Sequence, residues 1–185
     1  MVPLSALWLP ILLSAVIIFV ASSIMHMVLR YHAGDYSQLP DEDKILAVLR
    51  AANLKRGLYV FPFCTPKEMK SPAAIEKFKQ GPVGHLMIVP SGPPAMLKHL
   101  VMWFAYCLVI GFFVAYLTGH TVPSGAPYPA VFRVAGTAAF LAYGLGHLSN
   151  AIWRGQTWSA TIKEVIDGLV YGLLTAGTFG WLWPR

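Results

Sequence analysis

From Ser5 to Leu29 the chain runs for 25 residues without an Asp, Glu, Lys or Arg. At a rise of about 1.5 Å per residue, that tract is long enough to cross a hydrocarbon core of about 30 Å. It lacks the basic leading segment and the small-residue cleavage site of a secretory signal, and it exceeds the length of a signal's apolar region. It therefore reads as a retained transmembrane helix. Three further apolar tracts follow, from about Met96 to Thr118, about Tyr128 to Trp153 and about Val165 to Trp183. Arg133 interrupts the third and Asp167 the fourth. The expected fold class is mainly α and membrane-embedded, with four transmembrane helices, or three if the third tract is re-entrant. Composition agrees. Charged residues are 12% of the chain, against about 25% in soluble domains. That scarcity excludes a disordered tail, a collagen-like chain and an ordinary water-soluble enzyme.

The charges are not spread evenly. Of 14 Lys and Arg, ten lie between Arg30 and Lys98, together with six of the eight acids. By the positive-inside rule this segment is cytoplasmic. The loop from Gly119 to Pro127 has no Lys or Arg and is placed outside. The link from Arg154 to Lys163 has a cation at each end and is placed inside. Both termini then face outward. Trp8, Trp181 and Trp183 fall at the outer ends, and Trp103, Trp153 and Trp158 near the inner ends, as two interfacial belts would require. The division is transmembrane helix 1 over 1–30, a cytoplasmic insert over 31–95 and transmembrane helices 2 to 4 over 96–185. The expected partners are the lipid bilayer and a second copy or other membrane subunits. The net charge of +6 follows from the insert, and no run of cations interleaved with aromatics suggests nucleic acid.

The insert is patterned. Pro40 and three acids, Asp41, Glu42 and Asp43, open a helix carrying Ile45, Leu46, Val48, Leu49 and Ala52 at helical spacing. Gly57 to Phe63 reads as a strand cut by Pro62. Ser71-Pro72 is a helix start with a hydroxyl cap, and that helix ends at Gly81. Gly84 to Val89 reads as a second strand stopped by Pro90. This small α/β unit has too few residues for much core of its own and is expected to dock on the membrane face of the bundle. The Gly- and Pro-rich stretch up to Met96 reads as a collar leading into the second membrane helix.

Gly168, Gly172, Ala176 and Gly180 lie four residues apart, leaving a groove where another helix approaches closely. The third helix has a shorter stripe, Ala138, Ala142 and Gly146. Such faces serve either packing within one bundle or an interface with a partner. The third helix also carries a polar stripe of Arg133, Thr137, Tyr143, His147 and Asn150, matched on the fourth by Asp167, Tyr171 and Thr175. Ionisable groups at membrane depth are costly unless they face protein or water, so this stripe is expected inside the bundle. Asp167 is expected to pair with His147 or Arg154.

His26, His99 and His147 map to one depth, with His32 just beyond His26. Imidazoles from separate helices at one level suit a b-type haem or a transition-metal ion. Cys64 beside Lys67 and Lys70, with His85 as base, offers a thiolate alternative. No Gly-x-Ser-x-Gly, P-loop or His-Glu-x-x-His pattern occurs. Cys64 and Cys107 are in different environments, and no disulfide is expected between them.

Gln80-Gly-Pro-Val-Gly, Pro90-Ser-Gly-Pro-Pro-Ala-Met96 and the stretch from Asp167 to Arg185 resemble a family of bacterial membrane proteins without an assigned activity. The resemblance implies a bacterial inner-membrane location and assigns no functional residue. The first functional reading is a non-catalytic subunit or scaffold of a membrane assembly. The alternatives are a haem- or metal-binding redox protein, a small solute or ion carrier acting as an oligomer, and a Cys64 enzyme.

Overall fold

A computed structural model describes residues 1–185. Helix α1 (Trp8–Ser23) is preceded by a 3-10 turn over Leu4–Leu7 and followed by a π turn over Ile24–Val28. The insert contributes α2 (Glu42–Ala51), β1 (Gly57–Phe61), α3 (Pro72–Gln80) and β2 (Gly84–Ile88). Helix α4 (Met96–Thr121) follows, then α5 (Tyr128–Tyr143), a 3-10 turn at Leu145–His147, α6 (Leu148–Arg154) and α7 (Trp158–Trp181).

Three helical rods are long and apolar enough to cross a membrane: Leu4–Val28, Met96–Thr121 and Tyr128–Arg154. That is one fewer on this criterion than the four expected. The shortfall lies in the fourth rod, not the third. Helix α7 has 24 residues, but Lys163, Glu164 and Asp167 sit in its first half.

The rods alternate in direction. At one end the Val2 N–H donates to the Gly119 carbonyl (2.8 Å), the Gly125 N–H to the Pro184 carbonyl (2.9 Å) and the Trp183 indole to the Pro123 carbonyl (2.9 Å). These bonds gather both termini and the α4–α5 link. The opposite end carries the insert. Trp8, Trp153, Trp158 and Trp181 are exposed near the two ends, whereas Trp183 is buried and Trp103 turns into the bundle.

The closest packing is between α5 and α7. A Cβ added at Gly168 would fall on the Gly144 backbone, and one at Gly172 would lie 3.1 Å from Phe140 Cβ. One at Gly136 would lie 2.9 Å from Ala176 Cβ, and one at Gly180 2.6 Å from the Tyr128 ring. The α7 stripe therefore packs against α5 of the same chain. Its partners are Gly136, Phe140 and Gly144; of the separate small-residue stripe read on this helix, Ala138, Ala142 and Gly146, the last two are exposed. The buried seam of α5 is Val131, Ala135, Ala139 and Tyr143.

This seam also corrects the polar stripe. Arg133 and Thr137 stand two residues off it, about 200° around the helix, and both are exposed. The rest of the stripe turns inward: Tyr143, Asp167, Tyr171 and Thr175 are buried, and His147 and Asn150 half-buried. Burial of Thr175 costs little, because its hydroxyl donates to the Tyr171 carbonyl at 2.8 Å.

In the insert β1 and β2 pair antiparallel, from Gly57 opposite Ile88 to Phe61 opposite Gly84. The α3 start is capped as its sequence reads, the Ala74 N–H donating to Ser71 Oγ at 3.2 Å. It stops at Gly81, whose φ of +58° favours glycine. Ala74 is the sole buried residue between 36 and 95. The hairpin faces the end of α6 across a cleft lined by Leu58, His85, Met87, Trp153 and Arg154.

Gly168→Ala should force α5 and α7 apart and cost about 1–3 kcal/mol by overpacking. Gly146→Ala, with nothing within 4 Å of the added carbon, should be nearly neutral. Unfolding midpoints of both variants in one detergent check the contrast.

Candidate metal centre

The apolar run of α1 ends in its π turn, closed by the Leu29 N–H donating to the Ile24 carbonyl at 3.0 Å. The wider turn adds a residue to the helix and re-aims the side chains beyond it, which is why such turns recur at functional sites. It carries His26. Arg30 then takes a left-handed conformation (φ +51°) that turns the chain. A short 3-10 turn, Ala33–Asp35, follows. Tyr31, His32 and Asp35 are thereby laid against the first half of α7.

There they meet Asp167, whose side chain is 5% exposed. Tyr31 donates its hydroxyl to Asp167 Oδ1. His32 Nε2 lies 2.9 Å from Asp167 Oδ2, and His26 Nε2 lies 3.5 Å from the same oxygen. The two imidazoles stack with centroids 4.6 Å apart. One ligand atom from each of His26, His32 and Asp167 can be chosen so that all three lie within 4.8 Å of one another. Donors held about 2.0–2.2 Å from one ion lie about 2.9–3.5 Å apart, depending on geometry. Both separations from Asp167 Oδ2 match that spacing. Two imidazoles and a carboxylate form a donor set for a divalent transition metal, not the paired axial imidazoles of a b-type haem.

An outer layer supports the donors. His32 Nδ1 lies 2.6 Å from Asp35 Oδ2, which leaves Nε2 facing the other donors. Lys163 Nζ donates to Asp35 Oδ1 at 2.5 Å and to the Tyr31 carbonyl at 2.8 Å. A carboxylate behind a histidine fixes its ring orientation, as in many metal sites. The hydrogen bonds from Lys163 first, and His32 second, hold the Asp35 carboxyl below the ordinary carboxylate value.

Two chambers flank the donors. One, of about 450 Å³, is polar and includes His26, His32, Asp35, Gln156 and Glu164 in its lining. The other, of about 250 Å³, is walled by Trp103, Tyr106, Tyr143 and Tyr171, with His26, His147, Glu164 and Asp167 completing it.

The residues singled out from sequence are thus only partly brought together. His26 and His147 border one chamber, but His147 Nδ1 lies 3.1 Å from Glu164 Oε2, not beside Asp167. The reason is register. With Gly168 against Gly144, a residue three beyond Gly144 on one helical rod of this antiparallel pair stands near Glu164 on the other. Arg154 is exposed, and Asp167 is met by Tyr31, His32 and His26. His99 is exposed in the first turn of α4 and joins no donor group. Cys64 lies beyond the end of β1, while His85 pairs with Val60, so the strand pairing does not set the two opposite each other. Both cysteines are free. Sequence reading did not single out Tyr31, Asp35, Lys163 or Glu164. The available signal was the spacing of Lys163, Glu164 and Asp167, which share one side of a helix.

No family model, curated protein or solved structure matches the chain.

The lowered Asp35 value gives a pH dependence of known sign. A carboxyl whose folded value is depressed stabilises the fold above its unfolded value, about 4, and loses that contribution as pH falls through the folded value. Thermal midpoints in detergent should fall on acidification below about pH 4. Asp35→Asn should lower the midpoint at neutral pH and flatten this acid limb.

Proposed function

We propose that this chain is a multi-pass protein of the bacterial inner membrane that binds one divalent transition-metal ion through His26, His32 and Asp167. The supporting observation is the convergence of those three donors, two from the foot of α1 and one from α7, with Asp35 and Lys163 behind His32. Three protein donors leave at least one coordination position open, which suits a reactive or exchangeable ion better than a closed structural one. Such an ion would supply Lewis-acid or redox chemistry at the open position. Glu164 and His147 stand nearby as proton-exchanging groups.

In this reading α7 is a fourth membrane helix. Its outward face supports that: Ile162, Ile166, Leu169 and Leu173 are exposed at spacings of three and four. Its charged residues turn toward the site, where they have partners. The cation distribution supports an orientation with the insert and the metal centre on the cytoplasmic side and both termini outside. A scaffold role through the α7 stripe draws less support, because α5 already fills that groove.

Purified protein stripped with a chelator should take up one Co²⁺ per chain, with the visible bands of a low-symmetry site. His32→Ala and Asp167→Asn should abolish the uptake, and His99→Ala should leave it intact. Asp35→Asn should weaken affinity about 10- to 100-fold, the usual cost of losing an outer-shell partner. Uptake that is absent, or equal in all four variants, would refute the assignment.

A further inference from the structure

The insert leaves one face of its hairpin bare. Leu58 stands opposite Met87 and Val60 opposite His85, so these four side chains share that face. All four are exposed, Leu58 at 58% and Met87 at 67%. The reverse face, with Tyr59, Leu86 and Ile88, is half-buried. The apolar side chains of the bare face forgo the burial that a partner would supply.

That face looks onto the end of α6 across a cleft of about 590 Å³. Leu58, His85 and Met87 line it from the hairpin, and Asn150, Trp153 and Arg154 from α6. No Asp or Glu lines it. Arg154 is exposed and forms no ion pair, so its charge is free to meet an anion. Arg154 is also the last residue of the apolar rod Tyr128–Arg154, and Trp153 beside it is 79% exposed. An exposed Trp and Arg at the end of such a rod belong at headgroup level. The insert carries the same sign of charge. From Lys55 to Lys79, six cations stand against Glu68 and Glu76 alone, and none of the six is in an ion pair.

We infer that this cleft binds an anionic phospholipid of the surrounding leaflet by its headgroup. The Arg154 guanidinium offers the forked N–H donors that suit a phosphate. Leu58, Met87 and Trp153 offer apolar surface to the glycerol backbone and the first methylenes of the chains. A soluble anion gains nothing from those walls, and an uncharged lipid gains nothing from an unpaired cation. The free cations of the insert draw anionic headgroups toward it. The volume lies within the range of about 300–1,000 Å³ usual for ligand sites. The membrane placement of the rods comes from the proposed function, and the ion at His26, His32 and Asp167 plays no part. A lipid seated there ties the insert to the bundle. Without it, that segment buries only Ala74 between 36 and 95.

The test is native mass spectrometry of the full-length protein in detergent, titrated with dioctanoyl-phosphatidylglycerol, dioctanoyl-phosphatidylcholine or glycerol 3-phosphate. The two lipids share chains and a phosphate and differ in net charge; glycerol 3-phosphate lacks the chains. The first phosphatidylglycerol should bind about 10-fold or more tighter than either of the others. Arg154→Gln should weaken it about 10-fold. Leu58→Thr with Met87→Thr, which keeps strand-forming residues, should weaken it about 3- to 10-fold. Lys67→Gln removes a cation that does not line the cleft and should change it by less than about 2-fold. All four positions are exposed, so unfolding midpoints should stay near the original. Equal affinity for both lipids would overturn the assignment, as would equal losses in Arg154→Gln and Lys67→Gln, which mark diffuse charge attraction. Glycerol 3-phosphate binding as tightly as the lipid would also overturn it, the cleft then taking a free anion. So would a dimer that the Leu58 and Met87 substitutions abolish, the bare face then belonging to a second copy. Sedimentation of the chain with the membrane fraction until detergent is added checks the membrane placement separately.

Discussion

The contact between α5 and α7 sets where everything else stands. Helices can approach this closely only where side chains are missing, and here glycines at 136, 144, 168 and 172 clear the way. Once Gly168 rests on the Gly144 backbone, the two helices cannot slide without driving a Cβ or a ring into a neighbour. That lock puts Tyr143 beside Tyr171, their rings 5.6 Å apart. It leaves Asp167 just past the end of α5, where no α5 side chain covers it. The segment after α1 fills that gap.

Asp167 is then the hinge between packing and chemistry. A carboxylate at such burial is tolerated only with partners that hydrogen-bond or neutralise it. Tyr31, His32 and His26 provide them. The same three contacts explain why α1 ends in a π turn followed by a left-handed Arg30: a straight continuation would carry His32 away from α7. The arrangement that compensates the buried charge also brings three potential ligand atoms within 4.8 Å of one another, with Asp35 and Lys163 behind His32.

Much of the architecture was legible in the sequence because it is written in repeating patterns. Apolar tracts gave the rods, a serine-proline cap gave the α3 start, and glycine and proline bounded both strands. The four-residue stripe on α7 was visible for the same reason. The small-residue stripe read on α5 lies off the contact, because alanines at 138 and 142 look as small as the glycines at 136 and 144. Only the phase of Val131, Ala135 and Ala139 decides between them. The pairing expected for Asp167 rested on depth along the helices, which does not fix the residues that meet it. The site itself was less legible. His26 and Asp167 stand out as polar residues in apolar tracts. His32 and Asp35 sit in a charged loop where such residues are common, and a π turn leaves no mark in composition.

The donors His26 and His32 lie near the start of the chain and Asp167 near its end, 135 residues beyond His32. A ribosome therefore delivers the two imidazoles early and the carboxylate last. The final helix brings Lys163 and Asp167 to partners, Asp35, His32 and Tyr31, that are synthesised before it. The cluster of His26, His32 and Asp167 is therefore complete only once the last helix has packed.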